Sequence, residues 1–328
     1  NGLLSNAQRK NEWLSLLNKS GIPVVSSMLA VDISSCLNNY YGFIGAYGNR
    51  TANFAVAKSD LVIAIGARMD IRQVGAKREN FAPKSKIIRI DIDKAELEYR
   101  VHEVDEFGFC ADSEEAFLAI LKIYSEHKYC CNQWTETCNE IKNSLNGIDD
   151  RLNNHMVREI SKMIPDNTVI TTDVGQNQIW SCNYHVVKNG RFMTSGGMGT
   201  MGYSIPAAMG AKVGSPDRQV VAVCGDGSFQ MSMMELATMR QHGVAVKVMV
   251  IKNNVLGMVR QYQHFTYKDN YSVIDLTGSP NLEKIAEAYE MPFIRVENMS
   301  QADDAIEQFL NTEGSVLMEC LVDPMDLV

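Results

Sequence analysis

Residues 219–254 read QVVAVCGDGSFQMSMMELATMRQHGVAVKVMVIKNN. Two apolar runs, Gln219–Cys224 and Val246–Lys252, stand on either side of a helical segment, Met231–Gln241. Each run is short and rich in β-branched residues, as expected for a buried strand. A strand, a helix and a second strand in this order predict a parallel sheet covered by helices.

The same alternation extends over the rest of the chain. Further candidate strands are Pro23–Ser27, Leu61–Ile65, Lys86–Ile92, Thr168–Thr172, Phe293–Val296 and Val316–Val322. Further candidate helices are Asn6–Lys19, Ser113–Tyr124 and Asn281–Glu290. One set of elements ends near Tyr124 and the other begins near Asn154. We therefore predict the α/β class, with two doubly wound parallel-sheet domains.

This organisation predicts two domains joined by a linker. The first domain spans residues 1–127 and the second spans residues 146–328. Residues 128–145 between them are polar and carry no strand signal, which indicates a helical linker. The chain opens with Asn1-Gly2-Leu3 and runs directly into a helix, so we expect the first domain to lack its opening strand.

The composition excludes several classes of function. The formal net charge is −8, and the basic residues are scattered rather than clustered, which disfavours a nucleic-acid partner. No apolar run approaches the length of a membrane span, and no signal peptide precedes the first helix. The 8 cysteines show no zinc-ligand spacing. We therefore expect a cytoplasmic protein with reduced thiols and no membrane contact.

The strongest chemical signal is Gly225-Asp226-Gly227-Ser228, which directly follows a predicted strand, with Asn253 at the end of the next strand. Open α/β sheets bind their ligands at the carboxyl ends of strands. The helix that follows the glycines, with the free amides of Gly227 and Ser228, suits a phosphate. A carboxylate, an amide oxygen and a main-chain carbonyl, together with diphosphate oxygens and a water, can complete an octahedral Mg²⁺ site. The alternative is that Asp226-Gly227 is a turn and Asn253-Asn254 a loop.

Residues 225–263 resemble the thiamine-diphosphate signature of acetolactate synthase (acetohydroxyacid synthase) catalytic subunits. The resemblance implies that Asp226, Asn253 and the carbonyl of Val255 bind magnesium. Lys252 replaces the first residue of the family's asparagine pair, so Asn253 takes the ligand role and Asn254 lies outside the pair. The implied thiamine-diphosphate contacts in this stretch are Gly225, Gly227, Ser228, Leu256, Gly257 and Met258.

Two further segments resemble the same family. In residues 195–203, SGGMGTMGY, the resemblance implies that the main chain of Gly199 and Met201 holds the aminopyrimidine ring. The Met201 side chain would bend the cofactor into a V, a role that suits an unbranched, polarizable group. Gly175-Gln176-Asn177 is similar to a segment that contacts the diphosphate, with Asn177 in place of a histidine. Asn177 can still donate to a phosphate but carries no charge.

One segment admits a different interpretation. Gly197, Gly199 and Gly202 have the GxGxxG spacing of a dinucleotide fingerprint, and Asp226 at the next strand end would then bind a ribose. This alternative predicts a nicotinamide-dependent dehydrogenase. It leaves the spacing between Asp226 and Asn253 unexplained, and a lone GxGxxG is a weak signal.

The first domain resembles the middle domain of acetolactate synthases, which binds FAD. The residues that match its FAD contacts are Ser27, Met28, Gly45, Gly66, Arg68, Asp70, Asp91, Ile92 and Asp112. Arg68 and Asp70 can serve a diphosphate and a ribose. Tyr47 and Ile71 replace a family histidine and a family aspartate. Related decarboxylases keep this domain with another nucleotide or with none, and this alternative stays open.

The resemblance implies a carboligase of branched-chain amino-acid biosynthesis that decarboxylates pyruvate and transfers the two-carbon unit to a second 2-oxo acid. Met201, Arg72 and Tyr262 are the predicted catalytic residues: Arg72 suits a substrate carboxylate, and Tyr262 replaces a tryptophan of the acceptor pocket. Thiamine diphosphate and Mg²⁺ are the expected cofactors, with FAD in a structural role. The alternatives are transfer to a keto-sugar and simple decarboxylation.

The resemblance also predicts how the protein is assembled. In this family the glutamate that activates the cofactor comes from an amino-terminal pyrimidine-binding domain of the partner subunit, and no segment of this chain resembles that domain. We therefore expect a homodimer or tetramer with active sites at the interface. We expect residues 1–328 alone to be inactive. A regulatory subunit is compatible with this assignment.

Overall fold

The computed structural model describes residues 10–102, 105–127, 131–145, 151–184 and 190–328. The opening Asn1-Gly2-Leu3, on which the prediction of a missing strand rests, lies outside the described residues. The chain divides into two compact units, Asn1–Ile148 and Asp149–Val328. In the described part of the chain, every helix is too short or too polar to cross a lipid bilayer.

Parallel strands flanked by helices form the first unit. Its strands are β1 Val24–Ser26, β2 Tyr40–Phe43, β3 Leu61–Ile65, β4 Lys86–Asp91 and β5 Glu106–Cys110. Its helices are α1 Lys10–Ser20, α2 Val31–Ser34, α3 Arg50–Lys58, α4 Ile71–Val74, α5 Lys94–Glu98, α6 Ser113–Glu126 and α7 Asn132–Leu145. Strands β1 and β2 pair with each other, and β3, β4 and β5 form a separate parallel sheet in that order.

Helix α7 occupies most of the segment that the sequence predicted as a linker. It packs inside the first unit, where Trp134 stacks on Phe54 of α3 at 6.2 Å between ring centroids. The Tyr41 hydroxyl also reaches Asn139 Oδ1 of α7 at 3.0 Å, and Cys138 is fully buried. The aromatic face of α7 therefore makes this helix part of the first unit.

A buried ion pair organises the β3–β4–β5 sheet. Arg89 on β4 and Glu106 on β5 are both inaccessible to solvent, and Arg89 Nη1 donates to Glu106 Oε1 at 3.0 Å. Arg89 also donates to the carbonyls of Arg68, Glu96 and Tyr99, while Glu106 accepts the N–H groups of Val101 and His102. A buried pair of charges is tolerated when most of its polar atoms are hydrogen-bonded. Of this pair only Arg89 Nε has no partner, and the other bonds tie two loops to the sheet.

The second unit is a single six-stranded parallel sheet with helices on both faces. Its strands are β6 Val169–Thr172, β7 Arg191–Thr194, β8 Val220–Gly225, β9 Lys247–Lys252, β10 Phe293–Val296 and β11 Val316–Leu321. Its helices are α8 Leu152–Met163, α9 Gln176–Tyr184, α10 Ser204–Gly214, α11 Asp226–Ser232, α12 Glu235–His242, α13 Gly257–Tyr267, α14 Leu282–Ala288 and α15 Ala302–Asn311.

The strand order of this sheet is β10-β11-β9-β8-β6-β7. The chain moves from β6 to the edge strand β7 and then returns to the other side of β6 to form β8. The loops after β6 and β8 therefore diverge, and this is the switch point at which doubly wound sheets bind ligands. The doubly wound α/β prediction is confirmed.

Both faces of the sheet are covered, which explains the unbroken apolar runs in the sequence. On one face, Cys224 and Val250 pack against Phe229 and Leu236 of the helices after β8. The side chains at the alternate strand positions, such as Val223, lie on the other face of the sheet and are equally buried. Burial of about 25 cal/mol for each Å² of apolar surface makes this double-sided core the main source of stability.

Three strands were not predicted, namely β2, β5 and β7. Each of them is short, each contains glycine or charged residues, and β5 and β7 are edge strands. The predicted helix Met231–Gln241 is also corrected. The structure has two helices there, α11 starting at Asp226 itself and α12 starting at Glu235.

The substitution Arg89→Met tests the buried ion pair. It leaves the Glu106 carboxylate buried without its cation, so we expect the first unit to lose about 3–5 kcal/mol of unfolding free energy. Urea unfolding in a Trp180→Phe background measures this, because the two remaining tryptophans, Trp13 and Trp134, both lie in the first unit.

Lys122→Met is the matched control, since it removes an exposed cation paired with Glu126 on α6. Its expected effect is below about 1 kcal/mol. An Arg89→Met variant as stable as this control would contradict the role of the pair.

Candidate functional site

Three loops meet at the switch point of the second unit. Asp173 follows β6, Asp226 follows Gly225 at the end of β8, and Asn253 follows β9. All three side chains are buried, with 7% exposure or less. Because parallel strands end at one edge of the sheet, polar residues that are distant in sequence are brought together here.

The Asp226 carboxylate joins the loops after β8 and β9. Its Oδ2 accepts the N–H of Asn254 at 2.8 Å, and its Oδ1 accepts the N–H of Gly227 at 3.0 Å. The Gly227 amide is therefore not free for a phosphate, as the sequence had suggested. Burial raises the pKa of the Asp226 carboxyl above its ordinary value, although the N–H groups of Asn254 and Gly227 act in the opposite direction.

Asn253 presents its amide from the neighbouring strand end. Its Oδ1 accepts the N–H of Val255 at 3.1 Å, and its Nδ2 donates to Gln176 Oε1 at 3.1 Å. Asn254 turns the chain with a φ of 57°, in the left-handed region that asparagine tolerates. The turn is held by the N–H of Leu256, which donates to Ile274 O at 2.8 Å.

These groups fit a magnesium ion by their chemistry. Asp226 and Asn253 offer a carboxylate and an amide oxygen, and Val255 offers a carbonyl beside them. The N–H of Arg260, in the first turn of α13, donates to the Leu256 carbonyl and not to the Val255 carbonyl. In the ranges that the structure describes, no group of three His, Cys, Asp or Glu side chains could hold a metal. A hard cation on mixed oxygen ligands suits the set better than zinc.

The methionine predicted as the cofactor wedge meets the predicted diphosphate turn. A Cβ built on Gly227 would lie 3.3 Å from Met201 Cε, 3.1 Å from Leu256 Cδ2 and 3.2 Å from Leu276 Cδ1. The tips of three apolar side chains thus converge on one glycine. Any larger residue at position 227 would displace them.

Asn177 faces the same turn with its oxygen. Its Nδ2 donates to Asp173 O at 2.8 Å, and a Cβ on Gly225 would lie 3.3 Å from its Oδ1. Gly175, with a φ of 149°, leaves room for the same oxygen. The donor role towards a phosphate that we predicted for Asn177 does not match this arrangement, because its N–H₂ group serves the main chain. Ser228 also bonds locally: its Oγ accepts the N–H of Gly225 at 3.1 Å.

Asp173 organises the glycine-rich segment, and the sequence did not identify it as a site residue. Its carboxylate accepts the N–H groups of Val174, Gly202 and Ser204, each at 2.9 Å. Burial raises the pKa of Asp173, although these N–H groups lower it. Through these bonds Asp173 fixes the loop that carries Gly199 and Met201. Its position directly after a predicted buried strand was the available signal.

The same bonds disfavour the dinucleotide alternative. A dinucleotide fingerprint needs free N–H groups at the start of the helix after the glycines, where the pyrophosphate lies. Here helix α10 starts at Ser204, and the Asp173 carboxylate already accepts the N–H groups of Gly202 and Ser204. An anion of the protein itself therefore fills that position.

The remaining predicted residues of this unit lie on α13. Gly257 begins the helix and is buried, and Met258 follows it half-buried. Tyr262 is 57% exposed and makes an edge-to-face contact with Tyr267 at 5.9 Å. Arg72, the third predicted catalytic residue, belongs to the first unit, where its carbonyl accepts the N–H of Ala46 at 3.2 Å.

The residues predicted to contact FAD lie after strand ends in the first unit, except Asp91, which is the last residue of β4. Ser27 and Met28 follow β1, Gly45 follows β2, and Ile92 follows β4. A Cβ on Gly45 would lie 2.2 Å from the carbonyl oxygen of Arg72, so the chain passes close to α4 only because this residue is glycine. Gly66 bonds to Ile90 O at 2.8 Å, which places the β3 and β4 ends side by side.

The predicted FAD-binding carboxylates also have local roles. Asp70 caps α4 and Asp112 caps α6, each by accepting main-chain N–H groups of the first turn. Asp91 Oδ1 accepts the N–H of Asp93 at 3.0 Å. Arg68 is largely exposed and pairs with Glu96 at 3.1 Å. The carboxylates of Asp70, Asp91 and Asp112 therefore shape the loops at the strand ends. Any contact of these residues with a nucleotide would come in addition to this local role.

Two family descriptions match this chain. The central domain of thiamine pyrophosphate enzymes matches residues 2–120. The C-terminal TPP-binding domain of the same enzymes matches residues 173–320, the stretch that contains the switch-point residues.

Individual relatives agree with these matches. A probable acetolactate synthase large subunit of Methanococcus aeolicus is 32% identical over 98% of this chain and 57% of its own length. The acetolactate synthase large subunit of Pyropia yezoensis is 35% identical over 92% of this chain and 52% of its own length. The acetolactate synthase isozyme 2 large subunit of Escherichia coli (strain K12) is 34% identical over 88% of this chain and 52% of its own length. The chain thus spans about half the length of these relatives.

The substitution Asp173→Asn tests the anchoring of the glycine-rich segment. It keeps the shape but leaves one oxygen for three N–H groups, and a hydrogen bond to a charged group contributes about 1.5–3 kcal/mol. We expect amide exchange at Gly202 and Ser204 to accelerate roughly 10- to 100-fold. Hydrogen–deuterium exchange followed by mass spectrometry measures this.

Asp275→Asn is the control, because that exposed carboxylate accepts only from Thr277 nearby. Its effect should stay within the loop around residue 275. Unchanged exchange at Gly202 and Ser204 in Asp173→Asn would refute the anchoring role.

Proposed function

This chain belongs to the thiamine pyrophosphate enzymes, and we propose that it is the cofactor-binding part of an acetolactate synthase large subunit. In this proposal the enzyme decarboxylates pyruvate and joins the two-carbon unit to a second 2-oxo acid, in the synthesis of branched-chain amino acids. One observation supports the proposal: the Asp226 carboxylate after β8 accepts the N–H of Asn254, directly after Asn253 at the end of β9, and the Met201 side chain reaches Gly227.

Magnesium and the diphosphate are assigned to the edge of β8 and β9. We assign Asp226, Asn253 and the carbonyl of Val255 to the metal, because together they form an all-oxygen set. We assign the diphosphate to the turn at Gly225 and Gly227, because this turn lies at the carboxyl end of β8 beside the proposed metal ligands. A cation held by Asp226 would compensate the burial of this carboxylate, whose ionised form is otherwise costly.

The rest of the cofactor is assigned to the glycine-rich segment. When bound, thiamine pyrophosphate supplies a carbon nucleophile and an electron sink. The main chain at Gly199 and Met201, in the loop that Asp173 holds, would bind the pyrimidine ring, and the Met201 side chain would support the bound cofactor. Asp173 thus acts on the chemistry only by holding this loop.

We assign substrate recognition to Arg72 and Tyr262. A guanidinium such as that of Arg72 binds a 2-oxo acid carboxylate, and the exposed ring of Tyr262 offers an apolar surface to the acceptor. The activating glutamate is assigned to a pyrimidine-binding domain of a second subunit, as the family resemblance implies. We accordingly propose a cytoplasmic homodimer or tetramer, open to association with a regulatory subunit.

We assign FAD to the first unit. The support is geometric, since Gly45, Gly66 and Arg68 follow the carboxyl ends of parallel strands and Asp91 is the last residue of β4. The flavin would stabilise the unit without taking part in electron transfer, because acetolactate formation is not a redox reaction.

Product analysis with a matched variant tests the enzymatic proposal. The full-length protein, given pyruvate, thiamine pyrophosphate and Mg²⁺, should form 2-acetolactate. Asp226→Asn keeps the side-chain volume but removes the charge, and we expect its Mg²⁺-dependent cofactor affinity to fall more than about 100-fold. Isothermal titration calorimetry measures that affinity, and colorimetric detection of acetoin after acidification measures the product.

Asp304→Ala, an exposed residue in the first turn of α15, is the control and should bind the cofactor normally. Near wild-type cofactor binding by Asp226→Asn would remove the metal assignment. Acetaldehyde as the sole product would replace the carboligase by a decarboxylase.

A second prediction concerns flavin. Purified full-length protein should be yellow and should release FAD on denaturation. Gly45→Ala should lower the flavin content, because its Cβ would meet the Arg72 carbonyl at 2.2 Å and displace the loop. Gly214→Ala, where a Cβ meets nothing within 4 Å, should not. Absorbance near 450 nm per mole of protein measures both, and a colourless, fully active protein would exclude the flavin.

A further inference from the structure

The amide of Asn253 has two chemically different ends, and only its oxygen can bind a cation. The orientation of this amide therefore has to be fixed by its neighbours. Its Nδ2 donates to Gln176 Oε1 at 3.1 Å, and both side chains are buried. The hydrogen bond to Gln176 fixes the nitrogen end, and the oxygen end lies on the side of Val255, whose N–H it accepts at 3.1 Å.

Gln176 is itself an amide that could be reversed. Its Nε2 donates to the carbonyl oxygen of Asp326 at 2.7 Å, which leaves Oε1 for Asn253. A reversed Gln176 would place a donor against Asn253 Nδ2 and an acceptor against the Asp326 carbonyl, losing both hydrogen bonds. The orientation of Gln176 is thus set by the main chain of Asp326.

Asp326 is held in place by several groups. Its carbonyl also accepts Arg260 Nη2 at 2.9 Å, from a guanidinium that is 2% exposed. Its carboxylate accepts Arg151 Nη1 at 2.7 Å and Asn153 Nδ2 at 3.0 Å. The carbonyl that orients Gln176 is consequently rigid, because donors from α13 and from the start of α8 converge on one residue.

Independent support comes from Gly257. A Cβ at this position would lie 2.0 Å from Gln176 Oε1 and 2.9 Å from Asn253 Nδ2. The start of α13 can therefore pass over the amide pair only with glycine. The φ of Gly257 is not in the left-handed region, so the requirement is one of space and not of backbone conformation.

We propose that Gln176 is a positioning residue that orients the magnesium ligand Asn253, and that the carbonyl of Asp326 orients Gln176 in turn. This rests on the proposed function, from which the ligand role of Asn253 is taken. It changes the role that the sequence suggested for Gln176, which was direct contact with the diphosphate. Gln176 Nε2 donates to the Asp326 carbonyl and lies 3.5 Å from Gln261 Oε1, while its Oε1 accepts from Asn253, so Gln176 has no donor left for a phosphate oxygen.

Two substitutions at position 176 separate positioning from direct contact. Gln176→Met keeps the size but bonds to neither partner, and Gln176→Glu still accepts from Asn253. If Gln176 positions Asn253, metal affinity should fall about 10- to 100-fold in Gln176→Met and less in Gln176→Glu. If Gln176 contacts the diphosphate, the added negative charge should make Gln176→Glu the weaker binder.

The measurement uses the full-length protein with Mn²⁺ as the probe. Electron paramagnetic resonance of free Mn²⁺ at saturating thiamine pyrophosphate gives the metal affinity, and the spectrum of bound Mn²⁺ reports its ligand geometry. Gly257→Ala should also weaken Mn²⁺ binding, while Gly210→Ala, whose Cβ meets nothing within 4 Å, should not. Thermal unfolding without metal identifies any variant that has simply lost its fold.

The outcomes are distinct. Wild-type protein that binds neither Mn²⁺ nor thiamine pyrophosphate would overturn the proposed function itself. Wild-type protein that binds both, with Gln176→Met equally tight or Gln176→Glu weaker than Gln176→Met, would overturn only the positioning role. Weaker Mn²⁺ binding by Gln176→Met and Gly257→Ala, partly restored in Gln176→Glu, would support it.

Discussion

The reversal of strand order between β6 and β8 is the constraint on which the site depends. Six parallel strands end at one edge of the sheet, and at this point the loops after two neighbouring strands leave away from each other. Doubly wound sheets bind their ligands between two such loops. Buried polar side chains collect there because the strand ends place them there, and the apolar runs behind them supply the rigidity.

The carboxylates at this edge have different roles although their surroundings are alike. Burial raises the pKa of both Asp173 and Asp226. Asp173 accepts three main-chain N–H groups and is thereby occupied with holding a loop. Asp226 accepts two N–H groups and faces the neighbouring strand end, where a cation would complete its surroundings. Hydrogen bonding therefore distinguishes the structural carboxylate of Asp173 from that of Asp226, which we propose as a metal ligand.

Lys252 stands where the acetolactate synthase family has the first asparagine of a pair. A salt bridge accommodates its charge. Its ammonium lies 3.0 Å from Glu319 Oε1 on β11, and Glu319 Oε2 accepts Arg295 Nε of β10 at 2.7 Å. Three adjacent strands thus carry a positive, a negative and a positive group at their ends. Glu319 is 2% exposed, so its charge needs both partners. Lys252 in place of the family's asparagine leaves Asn253 at the end of β9, because Glu319 compensates the charge of Lys252 on its own face of the sheet.

The sequence by itself determined the elements whose signal is local. The doubly wound class, the strands Leu61–Ile65 and Phe293–Val296 and the juxtaposition of Asp226 with Asn253 all follow from apolar periodicity and from polar residues at strand ends. The short strands β2, β5 and β7 were not predicted from the sequence, because pairing with a neighbouring strand, and not their own composition, makes them strands.

Only the tertiary structure decided what each polar group at the site does. Asp173 and Asn177 look equivalent in sequence as polar residues after a strand, yet one holds three amides and the other bonds to the main chain of the first. Gln176 is coupled to Asp326, which is distant along the chain. Hydrogen-bond partners of buried groups are set by three-dimensional proximity and by the need to satisfy each donor and acceptor, and no periodicity in the sequence encodes them.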